Sequence, residues 1–143
     1  VISQMHKFWF FLAAPWLGGC VSFHAGAMPG EPRDATFVEL RGTRVRFRDE
    51  GPTDAPAVVL IHGFASSLET WTAVTPTLRD RFRVISLDLK GFGWTDRPEG
   101  DYSPEAQARL VLALMDERGV ERAAVVAHSY GSSVALQMAL LRP

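Results

Sequence analysis

An apolar run, Ala123-Ala124-Val125-Val126-Ala127, passes directly into His128-Ser129-Tyr130-Gly131-Ser132-Ser133. An unbroken apolar run of this length suits a strand covered on both faces. A helix is predicted to follow over 131–141. Small residues at Ala127 and Gly131, two positions either side of Ser129, let the chain turn sharply from strand to helix. On such a turn the serine hydroxyl projects beyond the strand end, and its flanking residues must be small enough to approach each other. The feature demands a layered α/β architecture and makes Ser129 the first candidate functional residue.

The rest of the chain fits that architecture. Thr36 to Leu40 and Arg44 to Arg48 read as a strand pair joined by Arg41-Gly42-Thr43, with Val45 and Phe47 alternating against Arg44, Arg46 and Arg48. Asp49-Glu50-Gly51-Pro52 closes the second strand. Ala57 to Ile61 is a continuous apolar strand ending at His62-Gly63. Leu68, Trp71, Val74 and Leu78 predict a helix over 68–78, with Pro76 as its weak point. Arg83 to Leu89 supplies another strand, followed by the turn Asp88 to Gly93. Ser103 is a good N-cap and Pro104 suits the first helical position; Leu110 and Leu114 face inward, and Gly119 stops the helix. Glu121 to Ala127 is the strand before Ser129. The order β-β-β-α-β-α-β-α predicts an α/β fold: a mostly parallel sheet with helices on both faces, fronted by a hairpin.

Composition narrows the function. A chain of 143 residues, 47% hydrophobic and 22% charged, suits one globular domain. A formal net charge of -1 with interspersed signs leaves no electrostatic footprint for nucleic acid. Cys20 is the only cysteine, which excludes an intramolecular disulfide and a cysteine-based zinc cluster. No metal and no cofactor is expected.

The N-terminus reads as an export signal. Residues 1–4 precede Met5 and read as an upstream extension. His6 and Lys7 then lead into an apolar stretch from Phe8 to Leu17. Its length, about ten residues, is half of what a bilayer core requires and suits a signal peptide over 5–20. Leu17-Gly18-Gly19-Cys20 resembles the bacterial lipobox. That resemblance implies lipidation of Cys20, export and attachment to a membrane. Cleavage after Ala25-Gly26-Ala27 is the competing reading and would yield a periplasmic or secreted protein. Pro15 and the glycine pair oppose a buried helix here. Residues 21–35, with Gly26, Pro29, Gly30 and Pro32, read as a tether, and the domain occupies 36–143.

A serine hydroxyl needs a base to become nucleophilic, and the oxyanion it generates needs backbone donors. The Tyr130 N–H, next after Ser129, is one candidate. The Phe64 N–H is the other, because Gly63 permits close approach of its loop. His62 reads as an organiser of that loop and His128 as a packing or hydrogen-bonding residue. Asp88 could orient the Gly91-Phe92-Gly93 turn. Phe64, Phe92, Trp94 and Trp71 are candidates for an acyl pocket, with core packing the alternative for Trp71. Arg79-Asp80-Arg81 and Asp116-Glu117-Arg118 read as solvated helix ends.

Together, Ala127-His128-Ser129-Tyr130-Gly131, the His62-Gly63 loop and the turn from Asp88 to Gly93, with Thr95-Asp96-Arg97-Pro98 after it, resemble the N-terminal half of a serine-type α/β-hydrolase. Alanine replaces the first glycine of the usual Gly-x-Ser-x-Gly. The resemblance implies hydrolysis of a small-molecule acyl substrate, an ester or related compound, through an acyl-enzyme at Ser129. Dehalogenases and epoxide hydrolases of the family carry aspartate at the elbow, so Ser129 points away from both. Carbon–carbon bond hydrolases and cofactor-free haloperoxidases share the serine. The family's acid and histidine follow the nucleophile, yet residues 130–143 contain no Asp, Glu or His. The expectation is therefore a truncated chain, inactive alone, whose full form extends by roughly a hundred residues or more. Its last strand would then form an exposed apolar edge. A non-catalytic ligand-binding module and an inert fragment are the other readings.

Overall fold

The computed structural model describes residues 23–143. The signal peptide and the lipidation expectation at Cys20 lie outside the described residues. Five strands form one sheet: β1 (Thr36–Leu40), β2 (Thr43–Glu50), β3 (Ala57–Ile61), β4 (Arg83–Leu87) and β5 (Ala123–Ala127). Their order is β1-β2-β4-β3-β5. The β1–β2 and β2–β4 pairs are antiparallel, whereas β3 runs parallel to both β4 and β5. The mostly parallel α/β sheet fronted by a hairpin is as the sequence predicts.

Alternation along β3 builds two cores. Val59 and Ile61 point to one face, where Ile85 and Leu87 of β4 join Val111 and Leu114 of α2 (Pro104–Glu117) and Val134 and Met138 of α3 (Tyr130–Leu141). Val58 and Leu60 point to the other, with Val84 and Trp71. Burial on both faces is why β3 reads as an unbroken apolar run. The strand β5 pairs with β3 alone among the described residues, and Val125 and Val126 stay exposed on it. Helix α2 starts as its sequence requires: the Ser103 hydroxyl accepts from the Ala106 N–H at 3.2 Å, and Pro104 opens the first turn.

The expected helix over 68–78 is divided. Leu68–Trp71 forms a 3-10 turn, and α1 (Thr75–Leu78) is a single turn with Pro76 near its start. Pro76 offers no N–H, so the two pieces cannot join through it. Arg46, which alternation assigned to the polar face, is instead 3% exposed. Its guanidinium is held by Glu69 at 2.7 Å and faces Asp88 at 3.4 Å, so its burial is compensated by charge. Two helix-end charges are also engaged: Arg118 reaches Asp49 at 2.9 Å, and Asp116 takes both terminal nitrogens of Arg142. Part of the expected tether is seated on the domain, where His24 and Arg97 form an antiparallel bridge.

Candidate active site

The parallel strands β3, β4 and β5 end side by side, and the loops leaving them meet at one end of the sheet. Ser129 sits between β5 and α3 with φ 52 and ψ -120. A non-glycine residue in that region stores about 1–3 kcal/mol of strain. The surroundings hold it there. The His128 N–H donates to the Ile61 carbonyl at 3.0 Å, and the Gly131 and Ser132 N–H groups donate back to His128 and Ser129 at 2.9 Å each. Ser129 is exposed, as a serine meeting a substrate must be. A Cβ on Gly131 would lie 2.6 Å from the His62 carbonyl oxygen, so only glycine lets α3 start so close to β3.

The loop after β3 approaches from the other side. A Cβ on Gly63 would stand 3.3 Å from the Ser129 Cβ and 3.0 Å from His128 Nδ1. The missing side chain of Gly63 is therefore what lets this loop approach Ser129 and His128. Phe64 follows, 72% exposed, with its ring edge-on to Tyr130 at 6.3 Å and to Phe92 at 5.5 Å. Ser129, Phe64 and Tyr130 are thus brought to one place. Tyr130 opens α3, so its N–H belongs to the first turn, where no intrahelical acceptor exists. Its hydroxyl donates to the Tyr102 carbonyl at 3.0 Å, and burial pushes the phenol above its ordinary value.

His62 is completely buried. Its Nε2 accepts from the Leu89 N–H at 3.0 Å, which leaves Nδ1 as the donor to the Gly63 carbonyl at 2.7 Å. Both ring nitrogens are occupied, Nε2 by the turn after β4 and Nδ1 by its own loop. Burial holds the imidazole pKa below the ordinary 6.5, with the Gly63 hydrogen bond and the Asp88 charge opposing. His62 is a neutral brace here, with no free nitrogen for a proton transfer. His128 is exposed beside Ser129, and Trp71 packs in the core away from the site.

Two supporting residues carry more than the sequence suggested. Asp88 is fully buried and accepts from the Leu68 N–H at 2.7 Å and the Trp94 N–H at 2.8 Å, so it spans two loops as well as its own turn. Gln107 was not singled out from sequence. Its side-chain amide accepts from the Lys90 N–H at 3.0 Å and donates to the Lys90 carbonyl at 2.9 Å, fixing the turn that presents Phe92. A buried glutamine inside an apolar helix face was the available signal. Among the described residues no group of three or more His, Cys, Asp or Glu is placed to hold a metal ion.

Comparison with known proteins agrees with this arrangement. The family described as alpha/beta hydrolase fold matches residues 56–143. An uncharacterized protein of Mycobacterium tuberculosis is 39% identical over 112 residues, which are 78% of this chain and 32% of that protein. A haloalkane dehalogenase of Bradyrhizobium diazoefficiens is 32% identical over 111 residues, 74% of this chain and 36% of the enzyme. Among solved structures, a bacterial membrane phospholipase A is 29% identical with a TM-score of 0.70, covering 73% of this chain and 34% of its own. The chain spans about a third of the length of the curated relatives it matches. On the fold, the strained serine elbow and these similarities, the chain belongs to the α/β-hydrolase fold family of hydrolases.

Proposed function

We propose that this chain is the nucleophile-bearing part of a serine hydrolase that cleaves esters or related acyl compounds. The observation that carries the reading is the conformation of Ser129, strained, exposed and facing a loop that only a glycine at position 63 lets come so near. The Ser129 hydroxyl attacks the acyl carbonyl, and the Phe64 and Tyr130 N–H groups receive the developing oxyanion. The alcohol departs with a proton. Water then adds to the acyl-enzyme, restoring Ser129 and releasing the acid, so each turnover consumes one ester and one water. The base and its acid partner follow the nucleophile in the family order, within the two-thirds of the relatives' length that this chain does not span. His62 is excluded as that base because both its nitrogens are engaged.

The dehalogenase similarity does not carry its substrate across. Those enzymes attack an alkyl carbon with a carboxylate, and the elbow here carries a hydroxyl. The apolar rings of Phe64 and Phe92 beside Ser129 favour an apolar acyl group. We further assign the leader to export and Cys20 to lipidation, on the strength of the apolar stretch and Leu17-Gly18-Gly19-Cys20.

A substrate panel tests the reaction class. The protein produced from its gene should hydrolyse aryl esters and leave chloroalkanes and epoxides untouched. Ser129→Ala should reduce ester turnover by at least about a thousandfold, since removing a triad member costs several orders of magnitude. Halide release that survives Ser129→Ala would sink the assignment.

A further inference from the structure

Residues 24–31 are built into the domain. The backbones of His24 and Arg97 exchange hydrogen bonds of 2.8 and 2.7 Å. The Gly26 N–H donates to Asp96 Oδ2 at 3.0 Å. Arg97 sends one guanidinium nitrogen to Met28 Sδ and the other to the Gly93 carbonyl, each at 3.0 Å. Glu31 takes Arg44 in a bidentate pair, 2.7 Å on each side, and that guanidinium lies 3.4 Å above the Phe37 ring. Asp96 is only 5% exposed, and its Oδ1 has no partner among the described residues. The Gly26 N–H is therefore the one hydrogen bond this buried carboxylate receives there.

These contacts bear on where the leader ends. Cleavage after Ala27 would discard both His24 and Gly26. It would strip a buried carboxylate of its donor, the costly way to lose a hydrogen bond. Processing upstream of His24 leaves the segment whole. Its place in the fold matters as much. The loop it clamps, Gly93 to Arg97, continues directly from Phe92, which packs on Phe64 and Tyr130 beside Ser129. The N-terminus therefore leaves the domain at the end of the sheet where Ser129 lies. Phe23, which precedes His24, and Phe64, which follows Gly63, are both exposed.

We propose that residues 24–31 are a fixed strap of the mature domain, and that the strap turns the mouth of the Ser129 site toward the bilayer, so that its substrates are membrane-borne acyl esters. This rests on the reading of Ser129 as an ester-cleaving nucleophile and of Cys20 as the lipidated residue. The geometry supplies the leash. From Cys20 to His24 the chain can span at most about 14 Å, whatever its conformation. That is under half of the ~30 Å hydrocarbon core. A domain held so closely, by a segment docked at the end of the sheet where Ser129 lies, presents that end to the membrane. A long tether would allow every face.

The test uses the protein produced from its gene in a bacterial host and then placed in vesicles. Intact-mass analysis should find a mature N-terminus upstream of His24; a terminus at Met28 would overturn the strap. Vesicles of phosphatidylcholine brominated in the acyl chains should quench Trp94, which lies against Gly30 in the strap. The quenching difference between wild type and Trp94→Phe isolates that residue. A flexible Gly-Ser insertion of about twelve residues between Val21 and Ser22 should abolish the Trp94 quenching while leaving hydrolysis of a soluble short-chain ester unchanged. Trp94 quenching that is absent in wild type, or persists after the insertion, would overturn the membrane-facing mouth. Neither the mass nor the quenching readings require Ser129 to act. If Ser129→Ala retains ester turnover, the hydrolase reading fails by itself and the strap result stands apart.

Discussion

Gly131 and Ile61 meet backbone to backbone: a Cβ on Gly131 would stand 2.7 Å from the Ile61 carbonyl oxygen. That approach seats α3 on the end of β3 and fixes the direction in which Ser129 emerges. Neither partner can yield easily, because the obstructing atoms are carbonyl oxygens of residues 61 and 62, and Ile61 is paired in the sheet. Gly131→Ala should therefore destabilise the domain by about 1–3 kcal/mol, the usual cost of overpacking. Denaturant titration reads this as a lower midpoint. A midpoint equal to that of wild type would contradict the account of the elbow.

Asp88 ties together three parts of the chain that lie far apart in sequence. Its carboxylate accepts the Leu68 and Trp94 N–H groups and lies 3.4 Å from the Arg46 guanidinium. Truncation to alanine would leave two loop donors unpaired and a buried cation short of one partner. Asp88→Ala is expected to cost about 3–5 kcal/mol, a large part of the stability of a domain this size. The measurement is the free energy of chemical unfolding. A loss within about 0.5 kcal/mol, typical of surface changes, would show that Asp88 is not a structural centre.

His62 predicts a pH dependence. Its folded pKa is depressed below the ordinary 6.5, chiefly by burial. Below that ordinary value the unfolded chain takes up a proton that the folded chain refuses. The stabilisation from His62 is thus fully present above pH 6.5 and is lost as the pH falls toward the folded pKa. Asp49 and Glu69, whose pKa values are also lowered, act in a more acid window, below their ordinary 3.8 and 4.5. Thermal unfolding should therefore show a fall in Tm from about pH 7 to pH 5 that is shallower in His62→Asn. Identical slopes in the two proteins would remove His62 from the account.

Much of this fold was legible because its signals are local. Apolar runs mark β3 and β5, Ser103-Pro104 marks the start of α2, and small residues flank Ser129. The departures arose where distant residues decide. Pro76 divided a helix that apolar spacing alone would have continued. Arg46 turned inward because Glu69 and Asp88, remote in sequence, supply the charge that compensates its burial. Gln107 reads as one polar residue on a helix until Lys90 is placed against it. The docking of His24 to Glu31 depends on Arg97, Asp96 and Arg44, and the glycines and prolines of that stretch gave it the look of a linker.

The central claim is that Ser129 is a nucleophile poised by its backbone. It is tested most directly by treating the protein produced from its gene with a fluorophosphonate and locating the adduct by peptide mass spectrometry. The account predicts one phosphonylated residue, Ser129, and no labelling in Ser129→Ala. An unlabelled wild type, or a label that persists in Ser129→Ala, would contradict it.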